Sequence, residues 1–460
     1  MGPTEGIAAA IPGWVLRILE RLWDAGAAAY VVGGSLRDIL IGRTPLDWDL
    51  TTDALPDRVQ AIFPDSTYEN AFGTVAVRLP DGQTVQITTF RSDHDYADFR
   101  RPHRVEFGHE IEADLARRDF TVNAIAWGGP PSGEPSLVDP FGGRADIERR
   151  ALRAVGDPVA RFGEDALRML RAIRLAAVLD FAIEPETLAA IRTSAALAAH
   201  LSGERVSVEF ERLLGAECPS VGLRLAADTG LLDVLVPVLA GQRGVAQNKV
   251  PGEDLWDHTL RSVDAAAGAG RRPLVRLATL LHDIGKPATA ADGHFYRHEA
   301  VGAGLAAELL RGWHAPRTTV DTVPHLVALH MFNYDDAWSD GAVRRFIAKV
   351  GRDALDDLFA LREADNIGSG RPGDAGGLSE LRSRVAAQLA ANVALDRSGL
   401  AIHGDALIAQ LKLRPGPIVG RLLDGLVEQV VADPALNEPA KLVEMAREIL
   451  RSVPSRTEDG

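Results

Sequence analysis

A small mixed α/β head followed by a long, almost wholly helical body is the fold class that this sequence predicts, an α+β architecture. Three observations predict it. Short β-type runs punctuated by turn residues are confined to the first third, at Tyr30–Val32, Thr74–Leu79 and Thr84–Phe90. From Glu164 onward the apolar residues recur at helical spacing. The length of 460 residues is too great for one core, so two to four domains are expected.

Taken in order, Ile11 to Ala25 has the spacing of an amphipathic helix and leads into the strand that ends at Gly33-Gly34. A short polar helix follows, and Leu46–Thr52 is a second strand-like run. Pro80-Asp81-Gly82 is a hairpin turn signal between the next two strands. Arg91–Phe107, rich in arginine and dotted with aromatics, reads as a mobile loop. Beyond Asp114 come a helical start, a buried strand near Thr121–Trp127 and a turn-rich stretch through Gly133. Linker-like breaks fall at Gly241–Gly252 and Ile367–Gly377, and no internal repeat is evident. From Leu400 a helical tail is expected, with Leu422–Val430 amphipathic; its acidic residues Glu428, Asp433 and Glu438 favour a packing role.

Composition excludes several classes. At 46% hydrophobic and 25% charged the chain is that of a soluble globular protein. No apolar run reaches the length of a membrane span, and the first residues lack the pattern of a signal peptide. Cys218 is the only cysteine, so no intrachain disulfide can form and a reducing cytoplasm fits. A net charge of −14 argues against a general nucleic-acid coat protein. Local basic clusters survive at Arg100-Arg101, Arg117-Arg118 and Arg149-Arg150, so a polynucleotide would meet a restricted surface.

The chemistry begins at Asp47 and Asp49, a short step behind Gly33-Gly34-Ser35-Leu36-Arg37-Asp38. On an extended strand two residues apart share a face, about 7 Å apart along the chain. Two carboxylates so placed repel each other unless a hard cation sits between them. Glycines allow close approach of backbone to phosphate, helix-start N–H groups hold its charge, and Arg37 adds a fixed cation. Triphosphate, metal and carboxylate pair together suggest nucleotidyl transfer. Either motif alone is common; the two in this order are more specific.

A second cluster comprises Arg117-Arg118-Asp119-Phe120-Thr121-Val122-Asn123 and then Glu164-Asp165-Ala166-Leu167-Arg168, continued by Arg171 and Arg174. At helical spacing Asp165, Arg168, Arg171 and Arg174 form one drifting stripe. One reading is a solvated charged face with an Asp165–Arg168 pair. The other is base recognition: cytosine and adenine each present an amino donor beside a ring-nitrogen acceptor, which an Asp and an Arg would match.

These three motifs resemble those of the bacterial class II tRNA nucleotidyltransferases, the CCA-adding enzymes, and of their relatives the bacterial poly(A) polymerases. Weaker similarity extends through Gly203-Glu204-Arg205-Val206 to Pro415-Gly416-Pro417, covering nearly the whole chain. The resemblance implies a polymerase-β-like head over residues 1–150, a helical neck with a nucleotide-reading helix over 151–215, a helical body over 216–395 and a tail over 396–460. It implies template-independent addition of CCA to tRNA from CTP and ATP, with Asp47 and Asp49 binding two Mg²⁺. Gly33, Gly34 and Arg37 would hold the triphosphate and Arg118 the ribose or phosphates. Asp119 and Asn123 belong to the same nucleotide-binding motif. Asp165 and Arg168 would read the base, supported by Arg171 and Arg174. Polymerases of this superfamily often carry a third carboxylate on a later strand; the strand nominated here holds Gln86 instead. Asp93, Asp95, Tyr96, Asp98, Arg100 and Arg101 resemble the flexible loop of enzymes that finish with A, which favours complete CCA addition over partial addition or poly(A) synthesis.

His258, His282-Asp283 and Asp365, in that order, resemble the all-helical HD phosphohydrolase superfamily. The resemblance implies a second divalent-metal site, with His298 and either His325 or His330 as ligands of a further metal and His294 and His314 at the surface. Some CCA-adding enzymes carry such a domain, which removes terminal or 2′,3′-cyclic phosphates from RNA. Rival readings are a vestigial site, phosphohydrolysis as the main activity, or a non-catalytic RNA-binding protein. No membrane partner is expected, and oligomeric state is left open.

Overall fold

The structure is a computed structural model that describes residues 3–68, 73–79, 82, 84–96, 102–247, 249–391 and 393–452; the side chains at 3–5 and 92–105 lie outside the description. The chain forms two compact units, Met1–Gly241 with Gly312–Ala315, and Gln242–Arg311 with Pro316–Gly460. The passage between them at Gly241 opens the first stretch read as a linker.

The first unit contains a seven-stranded sheet and a set of helices. Its strands are β1 (Ala29–Val32), β2 (Asp49–Thr52), β3 (Ser66–Tyr68), β4 (Thr74–Arg78) and β5 (Thr84–Thr89). Beyond them are β6 (Arg91–Tyr96), β7 (Pro102–Phe107), β8 (Ala126–Gly129) and β9 (Ser136–Val138), with a separate two-residue parallel pair, Ala151–Leu152 and Ala182–Ile183. The order across the sheet is β3-β4-β5-β2-β1-β8-β9. The central strand β1, Ala-Tyr-Val-Val, is buried at all four residues. Strand β5 begins by alternating exposed and buried residues, as period-2 patterning on a half-covered face requires. The helix Gly13–Asp24 buries Val15, Ile18, Leu19 and Leu22, one stripe at helical spacing. Burial of each such side chain stabilises the fold by roughly 1.5–3 kcal/mol.

Register decides what stands beside the carboxylates. Strand β2 lies antiparallel to β1, with Asp49 opposite Val32, and parallel to β5, with Asp49 level with Gln86. Gln86 thus occupies the neighbouring-strand position where a third carboxylate was sought.

The sequence expectations need four corrections here. Strand β2 begins at Asp49, and Asp47 lies in the bend before it, so the two do not share one continuous strand. The Arg91–Phe107 segment, read as a loop, pairs as the antiparallel strands β6 and β7; Asp98, Arg100 and Arg101 and the side chains of Asp93, Asp95 and Tyr96 lie outside the described residues. Thr121–Asn123 is a 3₁₀ turn, and the strand starts only at Ala126. Asp165 is extended (φ −147°, ψ 104°), between helices Pro158–Glu164 and Leu167–Leu179, so it is not part of the arginine stripe.

The second unit is helical apart from a two-residue strand pair, among its described residues. Helix Leu255–Gly268 starts with a capping box formed by Asp254 and Asp257. It packs along helix Leu355–Gly368, closely enough that a Cβ on Gly368 would stand 1.9 Å from Ser262 Oγ. Helices Pro273–Leu281, His298–Gly312 and Arg317–Leu329 complete the surroundings of the histidines. The tail has its own small core of Leu400, Leu407, Leu426, Val430, Leu442 and neighbours. No helix among the described residues is long and apolar enough to cross a membrane.

Candidate functional site

Asp47 and Asp49 line a cleft of about 900 Å³ with Trp14, Leu46, Trp48, Thr84, Val85 and Gln86. Asp49 meets solvent on the cleft side and protein on the other. Loss of hydration there is the largest influence on its carboxyl and raises it above the usual carboxylate value; the Asp47 charge adds to this, while Arg118 and Arg171 oppose it. A cation between the two carboxylates relieves that strain on ionisation, so these residues fit a divalent metal. Gly33 has a positive φ of 81°, and a Cβ there would lie 3.0 Å from Arg118 Nη1 and 3.5 Å from Asp49 Oδ2. Only glycine leaves both side chains room beside the start of helix Gly34–Leu40.

The remaining predicted nucleotide residues are joined to one another. Arg37 donates from Nη1 to Asn123 Oδ1 (2.7 Å), and from Nε and Nη2 to Asp38 Oδ1. Asn123 donates to Asp119 Oδ1 (3.0 Å), and Arg171 donates to Asp119 Oδ2 (2.8 Å). Arg171 also lies 3.6 Å from Glu209, which accepts from Arg174 at 2.5 Å. Arg37 is therefore committed to Asp38 and Asn123, a positioning element more than a free cation. Arg118 is held by the buried Asp114 at 3.3 Å, while its buried Nε has no protein partner.

Asp165 and Arg168 are not paired. Asp165 accepts from Leu167 N–H at 3.0 Å and from Arg205 at 2.7 Å. Arg168 donates to Glu164 (2.7 Å) and to the Arg117 carbonyl (3.0 Å). Each therefore has its own tether, and Arg205, Glu164, Glu209 and Asp114 are site-forming residues that the motifs alone did not assign roles. Buried or half-buried charges need counter-charges, and that is the signal that would have found them.

Burial alone would raise the Asp119 carboxyl; Arg171 and the Asn123 hydrogen bond outweigh it and hold it well below the usual carboxylate range. A depressed folded-state pKa stabilises the fold above the unfolded value, about 4, and that stabilisation is lost as pH falls through the folded value. Asp119→Ala is expected to cost about 3 kcal/mol at pH 7, measured by urea denaturation, because Arg171 loses its main partner. The difference from the parent should shrink below about pH 4. An unchanged midpoint at pH 7 would refute the role.

In the second unit, His258, His282 and Asp283 form one buried group of metal-competent atoms, and Asp283, His298 and His330 a second. Asp283 Oδ2 lies 3.3 Å from His258 Nε2 and 3.1 Å from His282 Nε2; Asp365 Oδ1 lies 3.3 and 3.7 Å from the same nitrogens. Asp283 Oδ1 lies 3.2 Å from His298 Nε2 and 3.5 Å from His330 Nε2. Donors about 2.1 Å from one metal stand about 3.0 Å apart at octahedral corners and about 3.4 Å at tetrahedral ones. Both groups match that spacing, and Asp283 is common to them.

The histidine rings are oriented from behind. Nδ1 of His282, His298 and His330 lies 2.7, 2.8 and 2.7 Å from the carbonyls of Thr279, Phe295 and Val327. An N–H donated to those carbonyls leaves each Nε2 lone pair turned toward Asp283, the arrangement metal-ligating imidazoles use. Of the two candidates left open, His330 stands beside Asp283, whereas His325 directs Nε2 to the Val350 carbonyl at 2.8 Å. His294 and His314 are exposed, as expected.

Two lysines that the motif reading did not assign complete the cluster. Lys249 Nζ lies 3.3 Å from Asp365 Oδ1 and Lys286 Nζ 2.6 Å from Asp283 Oδ2. Burial favours the neutral form of His282, but Asp283 and Asp365 outweigh it and push its pKa up to about 9. The two carboxylates are met by these lysines, and the imidazole and carboxylate donors gathered here are of the types that fit a divalent cation.

Comparison with known proteins matches three segments of the chain. Residues 29–153 match the poly A polymerase head domain, 180–242 a probable RNA- and SrmB-binding site of polymerase A, and 301–446 a putative tRNA nucleotidyltransferase domain 2. The CCA-adding enzyme of Geobacillus stearothermophilus is 35% identical over 430 residues, 93% of this chain and 94% of that protein. The Streptococcus suis CCA-adding enzyme is 32% identical over 440 residues, 95% of this chain and 96% of that one. The crystal structure of the Bacillus stearothermophilus CCA-adding enzyme in complex with CTP superposes with a TM-score of 0.66 at 31% identity, covering 98% of each chain. With the carboxylate pair, the glycine turn and the tethered neck arginines in place, this similarity over nearly the full length of both chains shows that the protein belongs to the family of CCA-adding enzymes, the tRNA nucleotidyltransferases.

Proposed function

We propose that Asp47 and Asp49 hold two Mg²⁺ in the reaction by which this CCA-adding enzyme extends the 3′ end of tRNA, taking CTP and ATP in the cytoplasm and releasing pyrophosphate. The observation that carries this is the carboxylate pair facing a cleft beside Gly33 and Arg118. When bound, the ions activate the 3′-hydroxyl and offset charge on the departing pyrophosphate. Gly33 and Gly34 let the triphosphate approach the backbone, the Arg118 guanidinium beside Gly33 meets phosphate or ribose, and Arg37, Asn123, Asp119 and Arg171 keep that wall rigid. Asp165 accepts from the base amine and Arg168 donates to the ring nitrogen, each held by its own tether, Arg205 and Glu164.

The test is incorporation into a tRNA transcript lacking its 3′ CCA, with CTP and ATP supplied separately and together. Three additions in the order C, C, A, then arrest, are expected. A long ladder with ATP alone would mean poly(A) synthesis. Arg168→Ala is expected to reduce discrimination of CTP over UTP by at least about a hundredfold, since a polar reader is lost; undiminished discrimination would remove Arg168 from that role.

A second site is proposed in the helical unit, where His258, His282, Asp283 and Asp365 hold one divalent metal and Asp283, His298 and His330 another. The three carbonyl-anchored imidazoles are the observation that favours it. Its proposed substrates are terminal or 2′,3′-cyclic phosphates of RNA, and the reaction is hydrolytic.

A further inference from the structure

In the sheet order, Asp49 stands between Val32 on β1 and Gln86 on β5. Gly33 and Arg118 are on the β1 side of the carboxylates; Gln86, with Trp14 and Trp48, lines the cleft on the other. In-line displacement needs attacking and leaving oxygens on opposite sides of the reacting phosphorus. A triphosphate lodged on the Gly33–Arg118 side therefore leaves the Gln86–Trp48 side for the strand that brings the hydroxyl.

That side continues into a second groove. Trp14, edge-on to Trp48 with ring centroids 6.3 Å apart, lines the catalytic cleft and also a neighbouring groove of about 570 Å³ that includes Arg17, Arg21, Phe63, Asp65 and Arg78. Three arginines against one aspartate make it locally basic in a chain of net charge −14. Arg21 lies over the Phe63 ring at 4.4 Å and bonds the Ile62 carbonyl, so it is part of the wall. Arg17 and Arg78 are exposed and form no ion pair with another described residue. Aromatic faces beside exposed guanidinium groups are the surface a single-stranded polynucleotide uses, bases stacking and phosphates pairing with cations.

We infer that the groove from Trp48 and Trp14 to Arg17 and Arg78 is the track of the RNA strand that ends in the attacking 3′-hydroxyl. The last bases stack at Trp14 and Trp48, and the phosphates behind them pair with Arg17 and Arg78. The inference rests on the assignment of Asp47 and Asp49 as the reacting centre, and the experiment separates the two. Initial rates of C addition by the full chain are measured while tRNA lacking CCA is varied at saturating CTP, and the reverse. For Arg17→Glu with Arg78→Glu, KM for tRNA should rise at least about tenfold, while KM for CTP and kcat at saturating tRNA stay within about twofold of the parent. The slope of log affinity against log salt should shrink by about one for each arginine removed. The Arg17→Lys, Arg78→Lys pair should restore both values, because the phosphate contact needs only charge. Unchanged tRNA KM and salt slope overturn the track. So does a parallel rise in KM for CTP, or loss of kcat, either of which moves these residues into the nucleotide site or the chemistry.

Discussion

Asp47→Ala is expected to lower kcat/KM for CCA addition by at least about a thousandfold, because metal coordination contributes several kcal/mol of transition-state stabilisation. Asp47 is exposed and lies in a bend, so the substitution leaves the melting temperature unaltered and tRNA still binds. A rate within tenfold of the parent would sink the assignment of the reacting centre. The phosphoester hydrolysis proposed for the helical unit should be unaffected, since its proposed ligands come from residues 258 to 365 of the other compact unit. Asp49→Asn should show the same kinetic loss. Gln86 in register beside Asp49 shows that an uncharged side chain takes the adjacent strand position.

The second large effect is expected at Asp283, the one carboxylate common to both groups of metal-competent atoms. Asp283→Asn should reduce bound Mn²⁺ from two ions to at most one per chain, read by equilibrium dialysis. Hydrolysis of a 2′,3′-cyclic phosphate should fall at least about a thousandfold. CCA addition should proceed at the parent rate. Stability should drop by about 3 kcal/mol, because four imidazoles and two lysines lose the charge on which they converge. Two ions still bound to the variant would refute the shared-ligand geometry. Intact cyclic-phosphate hydrolysis, with metal lost, would instead leave the helical site without a role in it.

Much of the site was legible because its residues are chemically unusual where they stand. Gly33-Gly34 before a helix and Asp47-x-Asp49 before a strand are explained by charge and backbone freedom alone, and both came together at one cleft. The histidines were legible as ligand types. What could not be read was pairing. Helical spacing placed Asp165 with Arg168, but the chain is extended at Asp165, and the carboxylate turns to Arg205, 40 residues away. Arg37 looked like a free cation because Asn123, 86 residues on, is invisible to local spacing. Arg91–Phe107 looked like a loop because its arginines and aspartates mask a strand pair whose backbone bonds do not depend on side-chain polarity.

The sequence by itself determined the order of a β-containing head and a helical body, the Asp47–Asp49 carboxylate pair and the histidine-aspartate set, since these follow from local periodicity and from the chemistry of single side chains. Only the tertiary structure decided which partners neutralise which charges. It brought His330 and not His325 beside Asp283, made Asp283 common to two groups of metal-competent atoms, and placed Gln86 beside Asp49 and Trp14 at the junction of two grooves. The physical reason is that a charge shows in the sequence, while its counter-charge is found through contacts between distant segments, which only packing brings within bonding distance.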